Sequence, residues 1–305
     1  MSCTTKQYET NSSLEEVELE STELLFNHIG DHLLNINDNL GFRGHGDSNW
    51  SLQSTFVRFC ISIGIEDETI RQVTLNKLKK AFTENLVVNG DLPEEVIEKT
   101  DIFQFGQHYG LPTPLLDWTH SPYVAAFFAL SEQYPGGKPK NPVEGLGISR
   151  SLWVLDRGAV KHFNDNIMTH IRPKKSQIIL QEEMLNEQYP LLDVIHSVNQ
   201  YNKRQPFQQG FFTQHAFYNS LDAWRKRIDR EISHAYPSPL LKKLTFKCTE
   251  SERTKYLNVL DKMNINNRTL FPDITGSVLG AIETVRQDSK KQNHKAITTR
   301  LKDTD

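Results

Sequence analysis

The chain has 305 residues, 37% of them hydrophobic and 10% aromatic, and a formal net charge of -3. This length suits one large domain or two ordinary ones, and the apolar content is sufficient for a hydrophobic core. The charge excludes a basic field for sequence-independent nucleic-acid binding, and no apolar run reaches the roughly 18 residues that a transmembrane helix needs.

The N-terminal residues and the cysteines are typical of a cytoplasmic protein, and the cysteines and histidines do not suggest a metal site. Residues 1–10 lack the apolar middle of a secretory signal, so we expect a soluble protein that does not enter a membrane. The separated cysteines Cys3, Cys60 and Cys248 are typical of free thiols in a reducing compartment. Neither they nor the histidines have metal-ligand spacing, so we expect no metal site, and a Walker loop and a GxGxxG motif are also absent from the sequence.

The first periodic segment covers residues 14–34. Its apolar residues form an approximate helical stripe that is interrupted near Gly30, which predicts an N-terminal helical extension over 1–37. The main domain is predicted over 38–286. The charged residues 287–305 are expected to form a disordered tail.

A strand is predicted from Leu40 to Arg43, ending at Gly44. An arginine next to a glycine brings a guanidinium fork and a closely approaching backbone to one place, and a bidentate arginine suits a phosphate. The alternative is an arginine at a strand end that pairs with a surface carboxylate. The residues alone leave both interpretations open.

Two helices are predicted next, over 67–86 and over 94–109. The first is amphipathic, with lysines and glutamates on its polar side. Near the end of the second, Gln104, Gln107 and His108 lie on one side. Such residues, with donors and acceptors, are candidates for lining a pocket, and a solvated helix face is the alternative.

The stretch from Gln107 to Leu130 predicts a strand, a tight loop and a buried helix. Ser121 can cap free backbone N–H groups, and Pro122 occupies the first turn, where its missing N–H has no cost. Alanines, valine and phenylalanines follow at helical spacing. We therefore predict a largely buried helix over 122–133, whose N-terminus is held firmly.

Polar residues cluster where this loop opens the helix. Asp117, Thr119, His120 and Ser121 lie beside the positive helix end, which is a place to hold an anionic or hydroxyl-rich ligand. In the alternative, Asp117 and Thr119 only cap the turn and Trp118 fills the core.

The second half of the chain contains another polar cluster. Gln208 and Gln209 precede a glycine and an aromatic strand, which places them at a strand edge. A helix is predicted over 214–234 and a strand over 241–248, and no internal repeat is present.

Four motifs occur in a fixed order along the chain. They are Phe42-Arg43-Gly44 with Trp50 and Leu52; QHYGLPTPLLDWTHSPYVAAFFA at 107–129; Arg204 with Gln208, Gly210 and Phe212; and LFPDITG at 270–276. Together these motifs resemble the FRG-domain family, over about 38–285.

A second resemblance is to ADP-ribosyltransferases of the arginine-serine-glutamate type. Many of these carry an aromatic-Arg-Gly strand, a Ser-Thr-Ser-type strand that runs into a helix, and a glutamate on a later strand. Residues 42–44 resemble the first element, and 117–129 resemble the second. The resemblance implies an α+β fold with a small, strongly curved, mostly antiparallel sheet flanked by the predicted helices, and NAD as substrate.

The resemblance also implies roles for individual residues. Arg43 would hold a phosphate or ribose, Gly44 would present its backbone to the nicotinamide amide, and Tyr109 or Phe128 would stack on a ring. The candidate catalytic residues are Arg43, Asp117, Thr119 and Gln208. The candidate NAD-binding residues are Phe42, Gly44, Gln107, His108, Tyr109, Trp118, Ser121, Phe128 and Gln209. We expect Arg43, Thr119 and Gln208 to meet in one cleft.

The sequence departs from this pattern where the glutamate is expected. Gln208 and Gln209 stand there, and a carboxamide binds a ribose hydroxyl but carries no negative charge. Loss of one preorganised electrostatic group commonly slows an enzyme by roughly a hundred- to a thousandfold. Either another carboxylate serves, with Asp117 first and Glu182 or Glu183 after it, or the pocket binds without turnover. The alternative role for Asp117 is to hold Arg43 in a structural ion pair.

Two functions therefore stay open. The first is an ADP-ribosyltransferase-like enzyme or NAD glycohydrolase that uses NAD, with a protein or nucleic-acid acceptor or with water. Bacterial proteins of this kind often act as toxins or phage-defence effectors. The second is a nucleotide-sensing or protein-interaction module that keeps the pocket without the reaction.

Overall fold

The computed structural model describes residues 4–5, 12–34, 39–90, 101–131, 147–171, 191–196, 204–215, 219–232 and 238–286. Its strands are β1 (Thr4–Thr5), β2 (Leu14–Leu19), β3 (Leu40–His45), β4 (Leu116–Thr119), β5 (Ile148–Asp156), β6 (Leu192–Ile195), β7 (Gly210–His215) and β8 (Leu241–Cys248).

The helices flank these strands. They are α1 (Thr22–His28), α2 (Thr55–Ser62), α3 (Glu68–Asn89), α4 (Ile102–His108), α5 (Pro122–Ser131), α6 (Arg157–Asn166), α7 (Arg204–Gln208), α8 (Leu221–Ile232), α9 (Glu250–Lys262), α10 (Asn267–Leu270) and α11 (274–286). Single π-helical segments, Ile29–Leu33 and Ile167–Ile171, follow α1 and α6. None of the described helices is long and apolar enough to cross a bilayer.

The described strands form one sheet in the order β1-β2-β8-β5-β3-β4-β7-β6. Every neighbouring pair is antiparallel except β2 and β8, which run parallel. The predicted mixed fold with a mostly antiparallel sheet is therefore confirmed. The predicted small, strongly curved sheet is wrong, because the sheet is open and contains eight strands.

Helices cover both faces of the sheet, because successive side chains along a strand point to opposite faces. In β5, Leu152 and Val154 belong to a core cluster that also contains buried residues of α1, α5 and α9. Trp153 and Leu155 belong to a second cluster with α6 and α8. The sheet thus lies between two helical layers.

Two predicted elements differ in the structure. Leu14–Leu19 is a strand rather than part of a helix, since it pairs along its length with β8 and obtains its backbone hydrogen bonds from the sheet. The helix predicted over 214–234 begins only at Leu221, because residues 214 and 215 still pair with β6. The predicted helix 67–86 is confirmed as α3.

Two other predicted helices are described only in part. The helix predicted over 122–133 is present as Pro122–Ser131, and the one over 94–109 as Ile102–His108. Residues 94–100 and 132–133 lie outside the described residues, as does the tail predicted over 287–305.

Helix α5 packs directly on β3. A Cβ atom on Gly44 would overlap the carbonyl oxygen of Ala125 and lie 2.6 Å from the backbone nitrogen of Ala129. Only a glycine lets the two backbones approach this closely. The glycine of the Phe42-Arg43-Gly44 motif therefore sets the position of α5 against the strand that carries Arg43.

Candidate functional site

A cleft with a volume of about 440 Å³ opens where β3 and β4 separate. The two strands form only one residue pair, between Phe42 and Thr119. The residues that line the cleft come from β3, the loop after it, α2, α4, β4, α5, α7, β7 and the segment after α10. They are Phe42, Arg43, Gly44, Gly46, Trp50, Thr55, Gln104, Gln107, His108, Asp117, Trp118, Thr119, Ala125, Phe128, Ser131, Arg204, Gln208, Phe212 and Phe271.

The guanidinium of Arg43 bridges the two separating strands. Its Nε donates to Nε2 of His45 at 3.1 Å, and its Nη1 donates to the backbone carbonyl of Asp117 at 2.7 Å. The carboxylate of Asp117 lies 3.8 Å from Nη1. Burial lowers the pKa of Arg43, and the charge of Asp117 opposes that shift. Arg43 is thus a half-buried cation held mainly by neutral acceptors.

His45 is the partner that fixes the Nε edge of Arg43. It is 5% exposed, and its Nδ1 lies 3.2 Å from the carbonyl oxygen of Trp50. Burial, followed by the charge of Arg43, lowers the pKa of His45 to about 3. The imidazole is therefore neutral at ordinary pH, with its proton on Nδ1 and a free lone pair on Nε2 for Arg43.

Asp117 is the carboxylate among the lining residues. Its side chain is 65% exposed, and its Oδ1 accepts a hydrogen bond from Nε2 of Gln107 at 2.6 Å. The Oε1 of Gln107 in turn accepts from the hydroxyl of the buried Thr113. Asp117 is thus oriented by a neutral amide and remains open to the cleft.

The hydroxyl of Thr119 is engaged in the backbone around it. It donates to the carbonyl oxygen of Gln208 at 2.6 Å and accepts from the backbone nitrogen of Ser121 at 3.1 Å. The Oγ of Ser121 accepts from the backbone nitrogen of Val124 at 3.3 Å and caps α5. Thr119 therefore joins β4 to α7, and Ser121 holds the start of the helix.

The far wall is built by α7 and the segment after α10. Gln208 donates through Nε2 to the carbonyl oxygen of Leu270 at 2.9 Å. Arg204 donates to Asp273 at 2.7 Å and to the hydroxyl of Thr275 at 2.9 Å, and its guanidinium lies 5.1 Å from the ring centre of Phe271. These contacts fix the LFPDITG segment against the cleft.

Aromatic rings form the apolar part of the cleft. Phe128 and Phe271 meet edge to face with ring centres 6.1 Å apart, and both are half-buried. Phe42 and Trp118 are buried in the floor, where the indole Nε1 of Trp118 donates to the hydroxyl of Thr213 at 2.8 Å. The cleft thus combines a cation, amides and exposed ring surface.

Residues 38–137 match the family model of the FRG domain. The chain contains an FRG domain. The match includes β3, β4 and α5, whereas α7 and the LFPDITG segment lie beyond it, so the predicted extension of the domain to residue 286 stays a prediction. No curated protein and no solved structure matched the chain.

Most of the residues singled out in the sequence meet in this cleft. Arg43, Asp117, Thr119 and Gln208 all line it, and so do Phe42, Gly44, Gln107, His108, Trp118 and Phe128. Burial, followed by the charge of Arg204, lowers the pKa of His108. The neutral imidazole of His108 therefore adds a hydrogen-bonding group rather than a charge.

Three predicted binding residues do not line the cleft. Tyr109 is 67% exposed and packs beside Phe105, Ser121 caps α5, and Gln209 bends the chain with φ of 48°. The carbonyl oxygen of Gln209 accepts a hydrogen bond from the backbone nitrogen of His120 at 3.0 Å. Glu182 and Glu183, the reserve carboxylates, lie outside the described residues.

His45 is the contact that sequence reasoning missed. The predicted strand ended at Gly44, whereas β3 continues to His45. Because side chains two apart share a strand face, the longer strand would have placed His45 beside Arg43. Arg204 and Phe271 were part of the family motifs but had no assigned role.

Proposed function

We propose that the cleft binds NAD and supports cleavage of the nicotinamide–ribose bond by the chemistry of ADP-ribosyltransferases. The observation that carries this proposal is the convergence of Arg43, Thr119 and Gln208, from three distant segments, on one cleft. Its volume of about 440 Å³ falls in the usual range of roughly 300 to 1,000 Å³ for small-molecule sites.

The chemical groups in the cleft match the parts of a dinucleotide. Arg43 offers a fixed cation to the pyrophosphate, since a guanidinium fork suits phosphate oxygens. Gln104, Gln107 and Gln208 offer amides to ribose hydroxyls and base edges. The half-buried rings of Phe128 and Phe271 offer apolar surface to a nicotinamide or an adenine.

Asp117 is the group that we assign to the chemical step. When the bond between ribose C1′ and the nicotinamide nitrogen breaks, its electron pair leaves with nicotinamide and the sugar becomes oxocarbenium-like. An exposed carboxylate oriented by Gln107 stabilises that developing positive charge. Water or an acceptor hydroxyl then bonds to C1′ and releases a proton to solvent.

A nucleotide sensor is the second candidate function. Gln208 stands where the ADP-ribosyltransferases that the motifs resemble carry a glutamate. Asp117 is within 3.8 Å of Arg43, which offsets part of the negative charge of Asp117. A pocket with a cation and amides but a weakened carboxylate binds the ground state without favouring the transition state. Bound NAD would then report its presence to a partner instead of being cleaved.

Nicotinamide release from NAD by the purified chain distinguishes the two functions. If the enzyme proposal holds, the wild type releases nicotinamide and Asp117→Asn lowers the rate by roughly a hundredfold or more. Asp165→Asn, at an exposed position of α6, is the matched control and should leave the rate unchanged. NAD binding without release by the wild type supports the sensor, and no binding in calorimetry rejects both.

A further inference from the structure

We propose that His45 is a positioning residue for the cleft: it orients the Arg43 guanidinium so that its remaining N–H groups face the ligand. This inference rests on the proposed function for its ligand, NAD. Its geometric basis is the 3.1 Å hydrogen bond from Nε of Arg43 to Nε2 of His45.

Two contacts fix the guanidinium plane of Arg43. A guanidinium carries five N–H donors in a rigid planar fork. His45 takes the donor on Nε, and the carbonyl oxygen of Asp117 takes one donor on Nη1. Within the described part of the chain, Nη2 donates to no protein group, and Arg43 lines the cleft. The Nη2 donors are therefore available to a phosphate oxygen.

Both ring nitrogens of His45 take part in this arrangement. Nε2 accepts from Arg43, so the proton lies on Nδ1, which donates to the carbonyl oxygen of Trp50 at 3.2 Å. Trp50 itself lines the cleft. A histidine that only filled the core would not need hydrogen bonds to two residues that line the same cleft.

The charge state of His45 suits this role. A protonated imidazole has no lone pair with which to accept the Arg43 hydrogen bond. Burial and the charge of Arg43 keep the pKa of His45 far below neutrality, at about 3. The contact therefore persists across the pH range in which an enzyme or sensor would operate.

Two substitutions separate positioning from packing. His45→Gln keeps an acceptor oxygen near the place of Nε2, whereas His45→Leu keeps apolar volume and removes the acceptor. The first readout is the Arg43 Nε–H signal in proton–nitrogen NMR, assigned by its loss in Arg43→Lys. We expect fast solvent exchange or loss of this signal in His45→Leu and its retention in His45→Gln.

The second readout is NAD affinity by calorimetry. We expect His45→Leu to weaken binding roughly tenfold, as for one lost charge-assisted hydrogen bond, and His45→Gln to bind close to the wild type. An unchanged Arg43 signal in His45→Leu overturns the positioning role, and so does unchanged affinity. If the wild type binds no NAD while the signals behave as expected, the proposed function fails and the Arg43–His45 link stands.

Discussion

The cleft contains two arginines in opposite electrostatic settings. Arg204 lies 2.7 Å from the carboxylate of Asp273, and this hydrogen bond is the main reason that the pKa of Asp273 falls to about 2. Arg43 instead donates to an imidazole and a backbone carbonyl, and its nearest carboxylate is 3.8 Å away. The first arginine is neutralised by a carboxylate that it contacts directly, whereas the second is only partly neutralised by a more distant carboxylate.

This difference separates a structural cation from one that is ready for a ligand. Arg204 uses its charge to hold the LFPDITG segment against the far wall. Arg43 obtains its fixed orientation from neutral acceptors, and its ion pair with Asp117 at 3.8 Å offsets only part of its charge. The remaining positive charge can attract an anion that enters the cleft. A search for ligand-binding arginines should therefore ask what neutralises each one, as well as whether it lines a pocket.

The largest effect on stability should come from a substitution that separates β3, which carries Arg43, from α5. Gly44→Ala places a Cβ atom into the backbone of α5 at Ala125 and Ala129, so β3 and the helix must separate. We expect a loss of about 3 kcal/mol or more in the free energy of unfolding, because overpacking against backbone relaxes poorly. Urea denaturation measures this loss.

Gly30→Ala is the matched control for that substitution. Outside its chain neighbours and its own helical backbone, a Cβ atom on Gly30 meets no atom within 4 Å. Alanine is also favoured over glycine in a helical backbone. We expect unchanged or slightly higher stability. Equal stability of the Gly44→Ala and Gly30→Ala proteins would contradict the close packing of β3 on α5.

An exchange of each arginine for methionine tests the comparison directly. Arg204→Met removes hydrogen bonds to Asp273 and Thr275 and the contact with Phe271, which should lower the free energy of unfolding by about 2 kcal/mol. Arg43→Met should cost less stability and should weaken NAD binding roughly ten- to a hundredfold. Urea denaturation and calorimetry on both proteins give the two numbers.

The opposite pattern would contradict the assignment of roles. If Arg204→Met abolished NAD binding at unchanged stability, the ligand cation would be Arg204. Arg230→Ala serves as a control for the loss of a surface arginine, because this side chain is 74% exposed on α8. Its stability and NAD affinity should match those of the wild type.

Local sequence signals were sufficient to predict the wall of the cleft that β3 and α5 form. The serine-proline helix start and the glycine after Arg43 are short-range features, and they correctly predicted α5 and the end of the strand to within a residue or two. The role of Gly44 in the packing of α5 could not be predicted from neighbouring residues. The atoms that a Cβ at this position would contact lie about 80 residues later in the chain.

The far wall and the sheet depend on contacts between distant residues. Gln208 bonds to Leu270, and Leu14–Leu19 pairs with β8 more than 200 residues later. The pattern of residues 14–19 fits a helix as well as a strand, and the pairing partner decides between them. Sequence reasoning therefore found the polar residues of the cleft but missed β1 and β2 at one edge of the described sheet.

His45 and Asp273, the partners of the two arginines, should lose their contributions to stability at different pH values. The folded pKa of His45, about 3, lies below its ordinary value of 6.5, so the unfolded chain takes up a proton first. The stability that depends on neutral His45 is complete above pH 6.5 and is lost as the pH falls toward 3. The ionised Asp273 contributes stability above pH 3.8, and this contribution is lost as the pH falls through about 2.

A fall from about pH 7.5 to about pH 5.5 should thus act on His45 and spare Asp273. At pH 5.5, one unit below the ordinary pKa of 6.5, protonation of His45 in the unfolded chain lowers the free energy of unfolding by about 1.4 kcal/mol. The His45→Gln protein has no such group and keeps this part of its stability. Among the described residues His215 is also a buried histidine. Its pKa is lowered to about 4, and it affects both proteins equally. Urea denaturation at the two pH values should show a smaller decrease in His45→Gln, and an identical decrease would mean that His45 is charged next to Arg43.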